Sequence, residues 1–318
     1  MSQLSVVICT HNPRQDYLER TLASLQAQTL ARDRWELLVV DNASDPPVAN
    51  AHSLSWHANG RHVREDELGL TPARIRGIRE SLGPVILFVD DDNVLTPHYL
   101  ATTVKLMAEH GRLGVIGAAR ILPEFEVPPA AELGPYLEML ALRDVPRDHW
   151  SNDPRDNIVP WGAGLVVRRE VAEALVREVS FSAERKALDR SGTALNSGGD
   201  DDFSWVACAT GWGKGLFREL ELTHLIAAKR LEKEYLLRLA EGHSFSAALL
   251  LHVHGHPPPK LEVPGTLRDV LTWLLKLRPG RAWLAFRTWR KDAAKGSIHR
   301  EFARARREGL IRFERSMG

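Results

Sequence analysis

The chain has 318 residues, 44% apolar and 26% charged, which supports a sizeable core and argues against wholesale disorder. Its two cysteines, Cys9 and Cys208, exclude a disulfide framework and favour a reducing compartment. A formal net charge of +1 conceals an asymmetry, because residues 268–318 carry +9 and residues 1–267 carry −8.

The opening residues show no signal-peptide pattern, and no apolar run approaches the roughly 18 residues a membrane span needs. LSVVICT, 4–10, predicts a buried strand, and HNPR a turn. Leu18, Leu22 and Leu25 then recur at helical spacing. ELLVVD, 36–41, predicts a second buried strand that ends at Asp41. HVRED reads as a short exposed strand, and a helix is expected from about Pro72 to Ser81. VILFVD, 85–90, is a third buried strand, and it runs directly into Asp91 and Asp92. Pro97 suits the first turn of a helix capped by Thr96.

LGVIGAARIL, 113–122, predicts another strand. Residues 123–160 are proline-rich and polar and read as a long loop of the lid or acceptor type. VPWGAGLVVRREVAEAL, 159–175, predicts a strand and a helix. SGGDDDFSW, 197–205, opens a further helix with a second acidic cluster. Residues 221–242 read as mostly helical, with Leu231, Tyr235 and Leu239 on one face, and HVHGHPPPK as a break. Leu267, Val270, Leu271 and Leu274 form a helical stripe. A Trp- and Arg-rich stretch, 281–291, and a basic helix, 297–313, complete the chain.

Alternating strands and helices with buried strand runs predict an α/β fold with a largely parallel sheet. Ligands bind at the carboxyl ends of such strands, where His11, Asp41 and Asp90 fall. No GxGxxG follows the first strand and no GxxxxGK[ST] occurs, which speaks against a dinucleotide fingerprint and a P-loop.

Three adjacent carboxylates cannot all be buried, ionised and unpaired. Arg or Lys partners answer the problem, and so does a divalent cation. In an extended chain Asp90 and Asp92 share one side and Asp91 takes the other. Mg²⁺ and Mn²⁺ suit carboxylate, water and phosphate oxygens. The plainer alternative is a solvated strand exit. Asp200, Asp201 and Asp202 likewise fit either an acidic helix N-terminus or a general base, and one residue can be both. A glycosidase carboxylate pair is the competing hydrolytic reading.

These segments together resemble inverting nucleotide-sugar glycosyltransferases of family 2, which have the GT-A fold. LSVVICTHNPRQDYLERTLASLQAQT resembles that family's opening strand, turn and helix, and ELLVVDNASDP its second strand. ELGLTPARIRGI resembles the segment after the third strand, although Ile75 stands where asparagine is more usual. FVDDDN resembles the DxD-type motif, WGAGLVVRRE the glycine-rich strand beside the acceptor, and GGDDDFSW the acidic motif that ends in the base. The resemblance covers residues 4–215.

It implies a Rossmann-like, mostly parallel central sheet flanked by helices, with a C-terminal helical extension. The expected division is a transferase domain over 1–260, with a nucleotide-binding half at about 1–120 and an acceptor half at about 121–260. A basic amphipathic extension over 261–318 follows. Thr10, Asn12, Asp41, Arg74, Asp90 and Asp91 are expected at the nucleotide. Asp92, Asp90 and His224 are expected at Mg²⁺ or Mn²⁺, with His254 a second histidine candidate. Asp201 is the expected base, with Asp200 as its alternative.

The implied reaction is metal-assisted transfer of a sugar, with inversion, from a nucleoside diphosphate sugar to an acceptor hydroxyl. UDP is the favoured carrier, the acceptor is a saccharide or a lipid-linked sugar, and the setting is surface polysaccharide or glycan assembly. The alternative is an inactive GT-A domain that binds nucleotide sugars or serves as a scaffold. Trp150, Trp161, Trp205 and Trp212 are candidates for the acceptor cleft. The basic tail either packs as a helical appendage or meets a membrane surface. No nucleic-acid motif accompanies its charge. The expected location is the cytoplasm, including peripheral contact with the inner face of the membrane.

Overall fold

The β-branched and leucine-rich runs assemble into one ten-stranded sheet. The computed structural model describes residues 2–259 and 296–317. Strands β1 (Leu4–Thr10), β2 (Trp35–Asn42), β3 (Gly60–Glu65) and β4 (Val85–Val89) pair in parallel, with β1 between β2 and β4. β5 (Asn93–Leu95) lies on the far edge. β6 (Leu113–Phe125) pairs with the two-residue β7 (Arg143–Asp144). After β8 (His149–Ser151), β9 (Leu165–Arg168) inserts antiparallel between β4 and β6. β10 (Gly213–Ile226) runs parallel to β6 and antiparallel to β5 and β8. The main order is β3-β2-β1-β4-β9-β6-β10-β5.

Consecutive strand side chains alternate between the two faces, and both faces are covered. Leu4, Val6 and Ile8 of β1 join one core cluster, and Val7 joins the other. In β2, Leu37 and Val39 share the first cluster, and Leu38 and Val40 the second. Helices α1 (Gln15–Gln26) and α3 (Tyr99–Glu109) close the first face through Leu18, Leu22, Leu25, Leu100 and Leu106. α2 (Leu70–Glu80), α4 (Arg169–Ser180) and α6 (Gly199–Ala209) close the second, with Ile78, Leu175 and Phe203 buried there. Each such aliphatic side chain contributes about 1.5–3 kcal/mol through burial. A short α5 (Ala183–Lys186) leads into the segment before α6.

Several boundaries differ from the sequence reading. α3 begins at Tyr99 rather than at the Thr96–Pro97 step, and the Thr96 hydroxyl donates to the Glu221 carbonyl instead of capping the helix. Residues 123–160 are not one long loop. They hold the end of β6, a 3-10 helix over Ala131–Leu140, and β7 and β8. Residues 221–226 are strand rather than helix, because pairing with both β6 and β5 outweighs the local pattern. Helix α7 (Lys233–Val253) also runs into the expected break at HVHGHPPPK.

The basic helix at the end exists as α8 (Gly296–Met317) and packs on α7. Phe302 stacks on Tyr136 with ring centroids 3.5 Å apart, and Phe313 packs against Phe245. The Leu267–Leu274 stripe and the 281–291 stretch lie outside the described residues. Among the described residues, no helix is long and apolar enough to cross a membrane.

Candidate active site

A cleft of about 350 Å³ opens at the carboxyl ends of β1 and β4, the switch point where an α/β sheet offers its ligand site. Thr10 and the three residues Asp90–Asp92 form its floor. The strand ends at Val89 and the chain turns, so all three aspartates line the cleft, contrary to the extended reading that put Asp91 on the opposite side.

Asn93 pins this turn. Its backbone N–H donates to the Asp90 carbonyl at 3.1 Å, and its side-chain amide donates to Asp92 Oδ1 at 3.0 Å. The Leu225 N–H donates to the Asp92 carbonyl at 2.8 Å, which ties the turn to β10. The same strand carries His224 opposite Asn93. His224 Nε2 lies 3.3 Å from Asp92 Oδ2, and Arg230 Nη1 reaches both, at 3.1 and 2.8 Å.

These partners divide the aspartates. Burial would raise the Asp92 pKa, but His224 and Arg230 more than reverse this and hold it well below the usual carboxylate range. Burial and the neighbouring Asp92 push Asp90 up. The same two causes push Asp91 up to about 7, although the Thr10 hydroxyl donates to it.

The far wall holds a second network. Arg74, 5% exposed, reaches Asp189 Oδ2 at 3.0 Å and Asp200 Oδ1 at 2.6 Å. Asp200 Oδ2 accepts the Gly162 N–H at 2.7 Å, and Asp189 Oδ1 accepts the Gly199 N–H at 3.2 Å. A Cβ on residue 162 would sit 2.6 Å from Arg74 Nη2 and 2.9 Å from the Asp200 carboxylate. Gly162→Ala is therefore expected to push these groups apart and lower activity, on the order of 10²-fold for a displacement near 1 Å. Circular dichroism should show the fold retained. An alanine variant with wild-type turnover would show that this contact does not matter.

Asp201 follows Asp200 in the first turn of α6 but does not itself line the cleft. Burial and the adjacent Asp200 raise its pKa to about 7, opposed by Lys214 and Arg143. Lys214 is fully buried and donates to the carbonyls of Pro154 and Asp156 at 3.1 and 2.9 Å. Arg143 stacks over Trp161 at 3.2 Å and donates to the Val159 carbonyl at 2.8 Å. Both cations thus hold the 154–159 segment beside Asp201.

Other expected residues lie elsewhere. Asp41 does not line the cleft. Its carboxylate accepts the N–H groups of Ser44 and Val48 and pairs with Arg64 at 3.0 Å. Asn12, in the left-handed region at φ 47°, accepts the Asp45 N–H and also stands outside the lining. His254 does not line the cleft: it bonds buried Asp202 at 2.7 Å and stacks on Trp205. That contact makes Trp205 a packing residue. Trp212 lies under Arg168, Trp150 is 62% exposed on β8, and Arg143 covers a face of Trp161.

Sequence reasoning missed Asn93, Asp189, Arg190, Arg230, Lys214 and Arg143. Only Asn93, directly after the triple aspartate, stood beside a visible motif.

The cleft carries five aspartates, at 90, 91, 92, 189 and 200, against three arginines, at 74, 190 and 230. Among the described residues no three His, Cys, Asp or Glu side chains group as a closed metal site. Asp92 and His224 do converge, and the buried His224 Nδ1 has no hydrogen-bond partner. This donor pair would suit a hard divalent cation such as Mg²⁺ or Mn²⁺, which would need further oxygen ligands from outside the protein.

The chain is similar to several known proteins. The glycosyltransferase AglE of Haloferax volcanii is 29% identical over 98 residues, which cover 30% of this chain and 31% of the relative. Validoxylamine A glucosyltransferase of Streptomyces hygroscopicus subsp. limoneus is 32% identical over 108 residues, covering 33% of this chain and 24% of the relative. The match therefore spans less than a third of the length of either curated relative. Mannosyltransferase PcManGT from Pyrobaculum calidifontis, solved with GDP-Man and Mn²⁺, superposes with a TM-score of 0.60 at 17% identity, covering 99% of this chain and 88% of that one. GalNAc-T7, solved with UDP, GalNAc and Mn²⁺, gives 0.50 at 16% identity over 77% of this chain and 50% of the other. The fold is that of the GT-A glycosyltransferases. The model of glycosyl transferase family 2 matches residues 5–174, more than half of the chain, and the chain belongs to that family.

Proposed function

We propose that the protein transfers a sugar from a nucleoside diphosphate sugar to an acceptor hydroxyl, with inversion. The observation that carries this reading is one cleft lined by the Asp92–His224 pair and by Asp200, in the first turn of α6, where Asp201 follows. We assign the transferase unit to residues 1–260, with a nucleotide half at about 1–120 and an acceptor half beyond it.

The cleft lining holds five aspartates against three arginines, and a divalent cation would offset the excess of carboxylates toward a diphosphate. Asp92 and His224 would hold Mg²⁺ or Mn²⁺, with Asp90 beside them, and the metal would supply charge stabilisation of the departing diphosphate. Both structural neighbours were solved with Mn²⁺ and a nucleotide or nucleotide sugar. Thr10, Asn12, Asp41, Asp91 and Arg74 are assigned to the donor side. Asp41 acts there by fixing the turn at Ser44 and Val48, and Arg74 by its charge at the cleft wall.

Asp201 takes the acceptor hydroxyl proton while that oxygen attacks the anomeric carbon. Its surroundings suit this, because a carboxylate with a pKa near 7 is a stronger base than an ordinary one. A single displacement leaves no covalent sugar–enzyme intermediate, unlike a retaining hydrolase.

UDP is the preferred carrier in this reading, and the acceptor is a saccharide or lipid-linked sugar in glycan or polysaccharide assembly. The exposed Arg300, Arg304 and Arg315 of α8 suit peripheral contact with an anionic membrane face in the cytoplasm. An inactive nucleotide-sugar-binding scaffold is the second reading. The deciding experiment incubates the full chain with UDP-, GDP- and dTDP-sugars, with and without Mn²⁺. Turnover of one donor supports transfer. Metal-dependent nucleotide binding without turnover would favour the scaffold, and no binding at all would reject both.

A further inference from the structure

We propose that Asp189 is a positioning residue for the transfer step: through Arg74 and the Gly199 backbone it sets the α6 N-terminus and, with it, the base Asp201. This rests on the function proposed above. Asp189 is 4% exposed, so its carboxylate left water for contacts inside the protein. Its oxygens receive three kinds of donor: the Arg74 guanidinium at 3.0 Å, the Thr71 hydroxyl at 3.2 Å and the Gly199 N–H at 3.2 Å. Arg74 and Thr71 belong to α2, on the donor side. Gly199 is the first residue of α6.

The second carboxylate in the network explains what this bridge does. Arg74 Nη2 holds Asp200, whose other oxygen is fixed by the Gly162 N–H. Asp200 is thus clamped from two sides, and Asp201 is its chain neighbour in the same helical turn. If Asp189 is lost, Arg74 keeps a single carboxylate partner and Gly199 loses its acceptor. The α6 N-terminus then loses its fixed distance from α2. Gly199 itself is part of the fit, because a Cβ there would lie 2.2 Å from Asp189 Oδ2. No larger residue can occupy that position with the carboxylate in place.

Arg74 is an unsuitable probe, since it is also assigned to the donor. Asp189→Asn tests the bridge in the full-length protein. Donor turnover, nucleotide affinity with Mn²⁺, the pH profile of kcat/KM and thermal melting are compared with wild type. The expected result is a fall in kcat of about 10²-fold, the cost of a displaced reacting group. Because Asp189 also lines the cleft and holds Arg74, nucleotide Kd should change as well, but by far less than kcat.

The acid limb of the profile should also move to lower pH, because the Asp189 charge no longer opposes ionisation of Asp201. A purely structural role would lower the melting temperature and leave that limb where it was. Gly199→Ala keeps the charge and displaces the carboxylate, so it should lower kcat while moving the limb less than Asp189→Asn does. It also decides the matter if Asp189→Asn does not fold. Unchanged kcat in the variant that folds, or nucleotide affinity falling in step with kcat, would overturn the inference. Wild-type protein that binds nucleotide but turns over no donor would instead reject the transferase reading, and this inference with it.

Discussion

Asp201→Asn is expected to lower kcat by roughly 10²–10⁴-fold, the usual contribution of a general base. Nucleotide affinity should remain near wild type, because Asp201 stands outside the cleft lining that would meet the donor. Stability should not suffer, since asparagine removes a buried charge that the site disfavours. The same environment fixes the pH dependence. Burial and Asp200 raise the Asp201 pKa to about 7, so the residue is protonated and idle in acid and becomes a base as pH rises. Turnover should climb through an acid limb near that value and lose about tenfold per unit below it. Asp201→Asn should abolish the limb along with most of the rate. If the variant keeps wild-type turnover, proton removal belongs to Asp200 or to another group, and the assignment fails.

The strands were legible because their signal is local. Alternation of Val, Ile and Leu in β1 and β2 predicts two buried faces, and both core clusters follow it. The triple aspartate after VILFV was legible for a different reason, because charge at the end of a buried strand is conspicuous wherever it occurs. What stayed hidden depends on distance through space. Arg230 reaches Asp92 across 138 residues, and Asp189 meets Arg74 across 115. Neither residue has a neighbour in the chain that marks it. His224 was named from family resemblance but set on a helix, because ELTHLI has no strand signal strong enough to announce pairing on two sides. His254 is a case the sequence left open: HVHGH offers three alternating histidines, and in the fold His254 meets Asp202 and Trp205 of α6.

Asp92→Asn is expected to weaken metal-dependent nucleotide binding more than any other single change in the cleft. Asp92 is the aspartate kept ionised: burial opposes its charge, and His224 and Arg230 restore it. Asp90 and Asp91 are pushed the other way, by burial and by Asp92 itself, so Asp92 is the carboxylate whose charge the wild-type cleft is built to keep. Removing a mere outer partner of a metal ligand costs about 10–100-fold in affinity, and loss of the ligand charge itself should cost at least that. The measurement is calorimetric titration of UDP or GDP into the full-length protein, with Mn²⁺ and with excess chelator. Wild type should bind tightly only with metal, and the variant weakly in both conditions. Arg230 sharpens the result, because in the asparagine variant it loses its carboxylate and leaves an unbalanced cation facing the diphosphate. Residual metal-independent binding by the variant would therefore rise rather than fall. Equal, metal-dependent affinity in both proteins would show that Asp92 is not the carboxylate that holds the ion.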